Sequence, residues 1–219
     1  MRRSVLLALA LLLLAVPALA VDSKPLPEAS VLSPELSKGC QIGNANATHF
    51  VSSLDSGGSK ISILVNPTDQ CGCPVGVSMT DMMVKINSTI SCDVQLVVRL
   101  RSPLPGPGPC LEPGKIECET GPVTRKLEVG VNTETVKLSC PCADSNFPYF
   151  LEVEAVSNDC TAAAGFTFTQ EGAACDAYLE DIAVGGDYYF SIWAETTCCN
   201  KPVGTLEETF GGVKSRFDD

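Results

Sequence analysis

Twelve cysteines constrain this chain more than any other feature, because six pairs of them would decide which segments lie side by side. Two motifs place cysteines one residue apart, as CGCP at 71–74 and CPCA at 140–143, and Cys198 adjoins Cys199. The pattern indicates either metal ligands or cross-links. The full set is Cys40, Cys71, Cys73, Cys92, Cys110, Cys118, Cys140, Cys142, Cys160, Cys175, Cys198 and Cys199.

The spacing of the cysteines favours cross-links over a metal site. Zinc sites usually separate paired cysteines by two to four residues and often add histidines. Here the spacing is C-x-C, and His49 is the single histidine of the chain. The number of cysteines is even, and exported thiols oxidise. We therefore expect all twelve to form disulfides, with no metal and no cofactor.

Local geometry predicts some features of the bonding. In an extended stretch, the two thiols of C-x-C point the same way, so one motif can tie a strand end to two adjacent places. Cys198 and Cys199 would point to opposite faces and take different partners. Cys110 and Cys118 flank the turn-rich LEPGKIE, so we predict a local bond between them.

The N-terminus has the features of a secretory signal peptide at 1–20. A basic start is followed by the apolar run Val5–Val16 and by the cleavage motif Ala18-Leu19-Ala20. The run is too short to span a bilayer, which takes ~20 residues. We predict a secreted protein, in an extracellular, periplasmic or cell-surface location, and the Leu/Ala-rich signal is typical of bacteria.

The chain that would remain after cleavage is strongly acidic. It keeps 13 basic and 26 acidic residues, a net charge of −13. Charge of this sign keeps a protein soluble and repels nucleic acid and anionic lipid. We expect no nucleic-acid partner and no membrane span after the signal peptide.

Period-two alternation of apolar residues dominates the rest of the chain. Short strands with one apolar face predict antiparallel sheets packed face to face. The predicted fold is all-β, an antiparallel β-sandwich of about eight to ten strands, stapled by disulfides. In 126–131 we expect Leu127, Val129 and Val131 to share the buried face. The eight alternating runs are 60–65, 82–86, 94–100, 126–131, 135–138, 149–156, 165–169 and 188–194.

Two segments depart from this pattern. Residues 176–186, DAYLEDIAVGG, fit a helix that Gly185 would stop, and they fit another strand equally well. The sequence RSPLPGPGP at 101–109 predicts an exposed loop, because proline has no donor for a sheet interior.

The domain organisation follows from composition. We predict a flexible Pro/Ser-rich lead-in at 21–39, one β-sandwich domain at 40–200 and a polar C-terminal tail at 201–219. Four pairs of cysteines recur at offsets of 65 to 69 residues, which is compatible with an internal duplication of about 69 residues.

The combination of these features resembles cysteine-rich secreted β-sandwich proteins of bacteria. The features are the N-terminal signal, C-x-C motifs before strands, a Pro-Gly loop closed by cysteines, and an aromatic strand ending in WAETTCC. The resemblance covers most of the chain after the signal peptide. It implies the fold and no particular activity.

Few residues offer catalytic chemistry. His49 is the sole histidine base, and no nucleophile-elbow motif accompanies it, so we expect no catalytic residue. Glu152 and Glu154 would share one strand face ~7 Å apart. Such a pair can work on a glycosidic bond or hold calcium. Glutamates alternating with apolar residues are also typical of a solvated sheet face, and we favour that interpretation.

The last aromatic strand offers a binding surface. If Phe190 and Ile192 point inward, Tyr189 and Trp193 stand on the outer face, ~13 Å apart. Rigid aromatic faces stack on sugar rings or anchor partner proteins. Large aromatics are mostly buried, so we favour the alternative in which the segment 101–109 or the second lobe covers both rings. The opposite register, with Trp193 buried beside the vicinal cysteines, fits the sequence as well.

These patterns predict a secreted, non-catalytic β-sandwich that acts as a binding or surface-structural module. Its partner would be a glycan, an envelope component or another protein. Two alternatives remain open. One is a secreted hydrolase that uses paired carboxylates. The other is a subunit of a surface assembly, which predicts an unpaired sheet edge.

Overall fold

A computed structural model describes residues 23–25, 40–51, 54, 58–73, 75–106, 108–160, 162–184 and 188–199. These residues form fifteen β-strands, numbered β1 to β15 along the chain, and one short helix, α1 (Pro67–Cys71). The predicted signal peptide and C-terminal tail lie outside the described residues. So does most of the lead-in, although Ser23–Pro25 forms β1 and pairs with His49–Val51.

The strands form two antiparallel sheets. The first comprises nine strands: β1 (Ser23–Pro25), β2 (Cys40–Gly43), β3 (His49–Val51), β5 (Gly76–Ser88), β8 (Gly130–Lys137), β9 (Ala143–Asp144), β11 (Ala164–Thr169), β14 (Tyr189–Phe190) and β15 (Ile192–Cys199). The second comprises six strands: β4 (Ser59–Val65), β6 (Cys92–Pro105), β7 (Leu111–Leu127), β10 (Tyr149–Asn158), β12 (Ala177–Leu179) and β13 (Ile182–Ala183). The spatial order in the second sheet is β13-β12-β4-β10-β6-β7.

The core lies between the two sheets, and the alternating residues build it. On β6, the side chains from Val94 to Leu100 that face inward are at most 1% exposed, and so are Leu151 and Val153 on β10. Met82, Val84 and Ile86 supply the facing surface from β5. The prediction of an antiparallel β-sandwich is confirmed, because one side of each central strand is buried as the period of two requires.

The run 126–131 is not one strand, so that prediction was wrong. Strand β7 ends at Leu127 and β8 begins at Gly130, and the side chain of Asn132 bonds the backbone of Glu128 and Gly130 to hold the turn. Leu127 is fully buried, whereas Val129 is 71% exposed. The apolar alternation of the sequence runs on through the turn, but burial changes from odd to even positions, because Leu127 on β7 and Val136 on β8 are the fully buried residues.

A helix was one option for 176–186, but residues 177–183 of this segment form a hairpin in the structure. Strands β12 and β13 pair across Glu180 and Asp181, whose φ angles are 51° and 62°. Two consecutive left-handed residues form the type of turn that matches the twist of a hairpin. The segment therefore adds β12 and the edge strand β13 to the six-stranded sheet.

Most of the segment predicted as a proline loop is also strand. Strand β6 continues to Pro105 and pairs with Leu111–Pro113 of β7. Beyond Arg101, β6 no longer pairs with β10, so its other edge needs no donors and proline is tolerated. This two-stranded extension, residues 102–105 and 111–114, is called the ribbon below. It lies near Tyr178, whose hydroxyl donates to the Leu111 carbonyl.

All twelve cysteines lie in the described part of the chain and all are paired, as predicted. The local bond predicted between Cys110 and Cys118 was wrong. Cys110 lies at the tip of the ribbon and reaches Cys175 beside β12. Cys118 faces inward opposite Leu100 and reaches Cys140. The six bonds are Cys40–Cys71, Cys73–Cys198, Cys92–Cys160, Cys110–Cys175, Cys118–Cys140 and Cys142–Cys199.

The C-x-C motifs are bonded to each other through the vicinal pair. Cys198 takes the second cysteine of CGC and Cys199 takes the second of CPC, so the vicinal residues have different partners, as predicted. The bonds Cys40–Cys71, Cys73–Cys198, Cys142–Cys199 and Cys118–Cys140 thus follow one another, and we name them the cysteine ladder. The ladder lies at the end of the sandwich where β5 begins.

Two of the recurring cysteine offsets are bonds between the cysteines concerned. Cys92 and Cys160 are 68 residues apart and bonded, as are Cys110 and Cys175, 65 residues apart. These two spacings therefore need no repeat to explain them. The internal duplication stays a prediction.

Leu127→Ala and Val129→Ala test the turn between β7 and β8. Leu127→Ala should lower the free energy of unfolding by about 2–5 kcal/mol, because it opens a cavity in the core. Val129→Ala should change it by less than about 0.5 kcal/mol, because that side chain faces water. Guanidinium unfolding with the disulfides intact measures both. Equal costs would mean that 126–131 is one strand with both side chains buried.

Candidate functional site

The acidic pair predicted on β10 lies on the outer face of the six-stranded sheet, but it is not solvated. Glu152 is only 1% exposed, so the expectation of a solvated carboxylate there was wrong. Its Oε1 accepts a hydrogen bond from Arg99 Nη1 at 2.9 Å, and its Oε2 accepts one from Arg101 Nη1 at 2.5 Å. Both arginines come from β6, the neighbouring strand, and cover the carboxylate.

Arg99 on β6 joins three carboxylates from the two neighbouring strands, β7 and β10. Besides Glu152, it donates through Nη1 to Glu154 Oε2 at 2.5 Å and through Nε to Glu119 on β7. Burial alone would lower the pKa of Arg99. The hydrogen bonds to its carboxylates outweigh that effect and raise the pKa, so the guanidinium stays charged. We name Arg99, Arg101, Glu119, Glu152 and Glu154 the arginine lattice.

The arginine lattice limits what the acidic pair can do. A glycosidase needs one carboxyl group that reaches the leaving oxygen and a second that reaches the anomeric carbon or its water. Here both oxygens of Glu152 are bonded to guanidinium groups within the sheet face. The arrangement holds β6, β7 and β10 together and leaves Glu152 no accessible oxygen for a substrate.

The aromatic pair does not form an exposed face. Trp193 is 6% exposed, and Lys85 Nζ lies 5.6 Å from its ring centroid while donating to the Ala45 carbonyl at 2.6 Å. Burial lowers the pKa of this lysine. Tyr189 is half-buried in β14, and the strand is interrupted at Ser191 before Trp193. The exposed face that one register offered is not present, and the binding role of Tyr189 and Trp193 stays a prediction.

The loop at 44–48 covers part of this outer face. The Asn44 amide donates to the Thr169 hydroxyl at 3.2 Å and to the Tyr189 carbonyl at 2.9 Å. The Ser191 hydroxyl, fully buried, donates to the Asn46 carbonyl. These bonds satisfy polar groups that would otherwise be unpaired beneath the loop.

His49 has a structural environment. Its Nδ1 lies 2.9 Å from the Thr48 hydroxyl, and its ring stacks on Phe168 at 5.5 Å between centroids. It is half-buried in β3, where it pairs with Pro25 of β1 on one side and with Phe168 of β11 on the other.

One group of metal-ligating residue types meets at the other end of the sandwich from the cysteine ladder. Side-chain atoms of Cys92, Asp159 and Cys160 lie within 4.8 Å of one another. The two sulfurs are bonded to each other, so neither is the thiolate that a metal would need.

A polar hollow lies beside that disulfide, on the outer face of the six-stranded sheet. Its volume is about 310 Å³, and every lining residue is polar. Sequence reasoning missed it, because the residues come from three strands and each looks like part of a solvated face. The lining consists of Asp93, Gln95, Thr124, Ser157, Asn158 and Asp159.

Comparisons with protein families, with curated proteins and with solved structures find no match for this chain. Within the described ranges, no helix combines the length and apolarity needed to cross a membrane. The proposals below therefore depend on the geometry of the chain itself.

Glu152→Gln tests the arginine lattice. It should lower the free energy of unfolding by about 3 kcal/mol or more, because two half-buried guanidinium groups lose a charged partner. Glu128→Gln is the matched control, since Glu128 is 67% exposed in its pair with Lys126, and it should cost less than about 1 kcal/mol. Chemical denaturation measures both. Similar small costs in the two variants would contradict the lattice.

Alkaline titration tests the burial of Tyr149. Burial raises its pKa to about 12, and the negative charges of Asp144 and Glu117 act in the same direction. The unfolded chain would lose this proton near pH ~10. The contribution to stability is therefore complete below pH ~10 and falls toward pH ~12, by at most about 1.4 kcal/mol per pH unit.

Tyr149→Phe should make that decline shallower. Unfolding free energies measured between pH ~10 and ~12 give the slope, and tyrosinate absorbance reports the titration directly. An unchanged slope in Tyr149→Phe would show that the phenol is not protected in the folded protein.

Proposed function

We propose that this chain is an extracellular, disulfide-stapled β-sandwich that acts as a non-catalytic binding or surface-structural module. Its partner is a glycan, an envelope component or another protein. The observation that carries the proposal is the arginine lattice, because it ties up Glu152, half of the acidic pair that could have supplied catalysis.

The disulfides support the extracellular part of the proposal. Twelve paired cysteines persist only where the surroundings are oxidising. The basic start, apolar run and A-x-A motif of residues 1–20 provide a route of export. The acidic balance of the remaining chain favours solubility outside the cell.

The rigidity of the frame supports a binding role. Five of the six bonds, the cysteine ladder and Cys110–Cys175, tie loops at one end of the sandwich, and Cys92–Cys160 ties the other end. A surface that is already ordered loses less conformational entropy when a partner binds. Surface loops and outer faces on such a frame are suited to recognition.

The two alternatives fit the geometry less well. A hydrolase that uses Glu152 and Glu154 would first have to break the ion pairs with Arg99 and Arg101. A surface assembly could use the edge of β8, which pairs with β5 on one side. On its other side, Arg125 Nη2 donates to the Thr135 carbonyl at 2.7 Å, which occupies part of the edge that a new strand would need.

Incubation with insoluble polysaccharides tests the proposal. The exported protein is mixed with cellulose, chitin or peptidoglycan, and both retention and newly formed reducing ends are measured. We expect retention on at least one of them and no new reducing ends. Retention on none would exclude these glycans as partners and leave a protein partner.

Glu152→Gln and Glu128→Gln accompany the wild type in this assay. Release of reducing ends that is lost in Glu152→Gln, but kept in Glu128→Gln, would overturn the non-catalytic proposal. Circular dichroism confirms that each variant is folded, so that loss of activity is not loss of structure.

A further inference from the structure

We propose that the polar hollow binds one neutral sugar ring of a glycan through its hydroxyl groups. This inference rests on the proposed binding function and assigns it a place and a ligand class. The hollow lies at the end of the six-stranded sheet that is remote from the cysteine ladder, on strands β6, β7 and β10.

Three strands bring polar side chains into one row. Gln95 on β6 pairs with Thr124 on β7 and with Ser157 on β10. Neighbouring strands are about 4.8 Å apart, so the row presents hydrogen-bonding groups at intervals comparable with the width of a pyranose ring. Two residues further along β6, on the same face, a second row contains Asp93, whose backbone amide donates to Asp159.

The depth of the hollow has a backbone cause. The register between β10 and β6 shifts between Ala155 and Ser157, where β10 carries an extra residue. A bulge of this kind bends the strand and re-aims the side chains that follow it. Ser157 and Asn158 are consequently displaced from the plain alternation of a flat sheet.

The floor of the hollow is fixed before any ligand arrives. The Asp93 amide donates to Asp159 Oδ1 at 2.6 Å, and the Asp159 amide donates to the Asp93 carbonyl at 3.2 Å. The Cys92–Cys160 bond joins the residues that adjoin these two. A preformed site of this kind binds with a smaller entropic cost.

The lining chemistry selects the ligand class. Hydroxyl and amide groups both donate and accept hydrogen bonds, and a carboxylate can accept two from adjacent hydroxyls. A sugar hydroxyl can bond to Gln95, Thr124 and Asp93, whereas an apolar ligand would take water from these side chains without replacing its hydrogen bonds. Asp93 and Asp159, together with the net charge of −11 of the chain, disfavour anionic sugars and phosphates.

The volume of the hollow and the absence of an ion pair at Asp93 both fit a neutral sugar. A volume of about 310 Å³ is at the lower end of ligand cavities, which suits one ring. Lys126 lies opposite Asp93, but its ion pair is with Glu128 at 3.1 Å. Among the described residues, Asp93 has no ion-pair partner, so its carboxylate remains available to hydroxyl donors. In the arginine lattice, by contrast, the carboxylates are already bonded to guanidinium groups.

Calorimetric titration with methyl glycosides tests the inference. The full chain is titrated with the methyl glycosides of glucose, galactose, mannose and N-acetylglucosamine, with a chelator present. We expect at least one to bind with a dissociation constant of about 1 mM, as a single ring with few apolar contacts allows. The double variant Gln95→Ala/Thr124→Val should weaken that binding at least about tenfold.

Thr133→Val is the matched control. Like Thr124, Thr133 is an exposed strand threonine, but it lies on β8 of the other sheet, so its substitution should leave binding unchanged. Gln95 and Thr124 are both exposed, and unfolding curves check that the double variant keeps the stability of the wild type.

Three results would overturn the inference. They are equal binding by the wild type and the double variant, no binding of any of the four glycosides, and binding that appears only when the chelator is replaced by CaCl₂, which would indicate a cation site. Equal retention of wild type and double variant on a polysaccharide would show that the hollow is not the binding site, while the proposed binding function would still stand. Release of reducing ends that is lost in Glu152→Gln would contradict the proposed non-catalytic function.

Discussion

The cysteine ladder is the constraint on which the geometry of one whole end of the sandwich depends. Its bonds join β2, the end of α1, the last residues of β15, the segment after β8 and the inward side of β7. Apart from the inward side of β7, these elements are strand ends or loops, which the disulfides hold in place. Disulfides act largely by restricting the unfolded chain, and native ones in small exported domains typically contribute about 2–5 kcal/mol. The apolar residues between the sheets form one cluster, and the disulfides hold the loops at this end without requiring apolar side chains there.

The arginine lattice fixes the register of the strands on the outer face of the six-stranded sheet. Glu152 lies opposite Arg99 on β6 and opposite Ser62 on β4. A slip of one residue in either pairing would turn this carboxylate into the core and an apolar neighbour out to the lattice. Because an unpaired buried carboxylate is very unfavourable, the lattice penalises every register that is shifted by an odd number of residues. The interior and exterior of the sheet thus specify one pairing together.

The sequence was sufficient where a strand buries one whole face. Residues 94–100 and 149–155 alternate because the core requires it, and their inward sets were predicted residue by residue. The alternation misled at Val129, because a turn separates it from Leu127, and the buried residue of the following strand is the even-numbered Val136. Cys110 could not be assigned to Cys175, because that bond depends on how the ribbon lies against β12.

The candidate sites were harder to read for a related reason. Glu152 has the sequence context of a solvated glutamate, and only the register with Arg99 and Arg101 buries it. The sequence left both registers open for Trp193, and neither the side chain of Lys85 nor the loop that covers this face is a local feature. The polar hollow requires both a bulge after Ala155 and the meeting of three strands.

The position of the vicinal cysteines has a consequence for how the molecule matures. Cys73 is bonded to a residue 125 positions later, and Cys142 to one 57 positions later, both on the final described strand. Under the export proposed above, these two thiols must remain reduced, or be wrongly oxidised and reshuffled, until β15 has emerged. The two bonds that join β15 to Cys73 and Cys142 can then form only after every other described strand has crossed, so completion of the fold waits for β15.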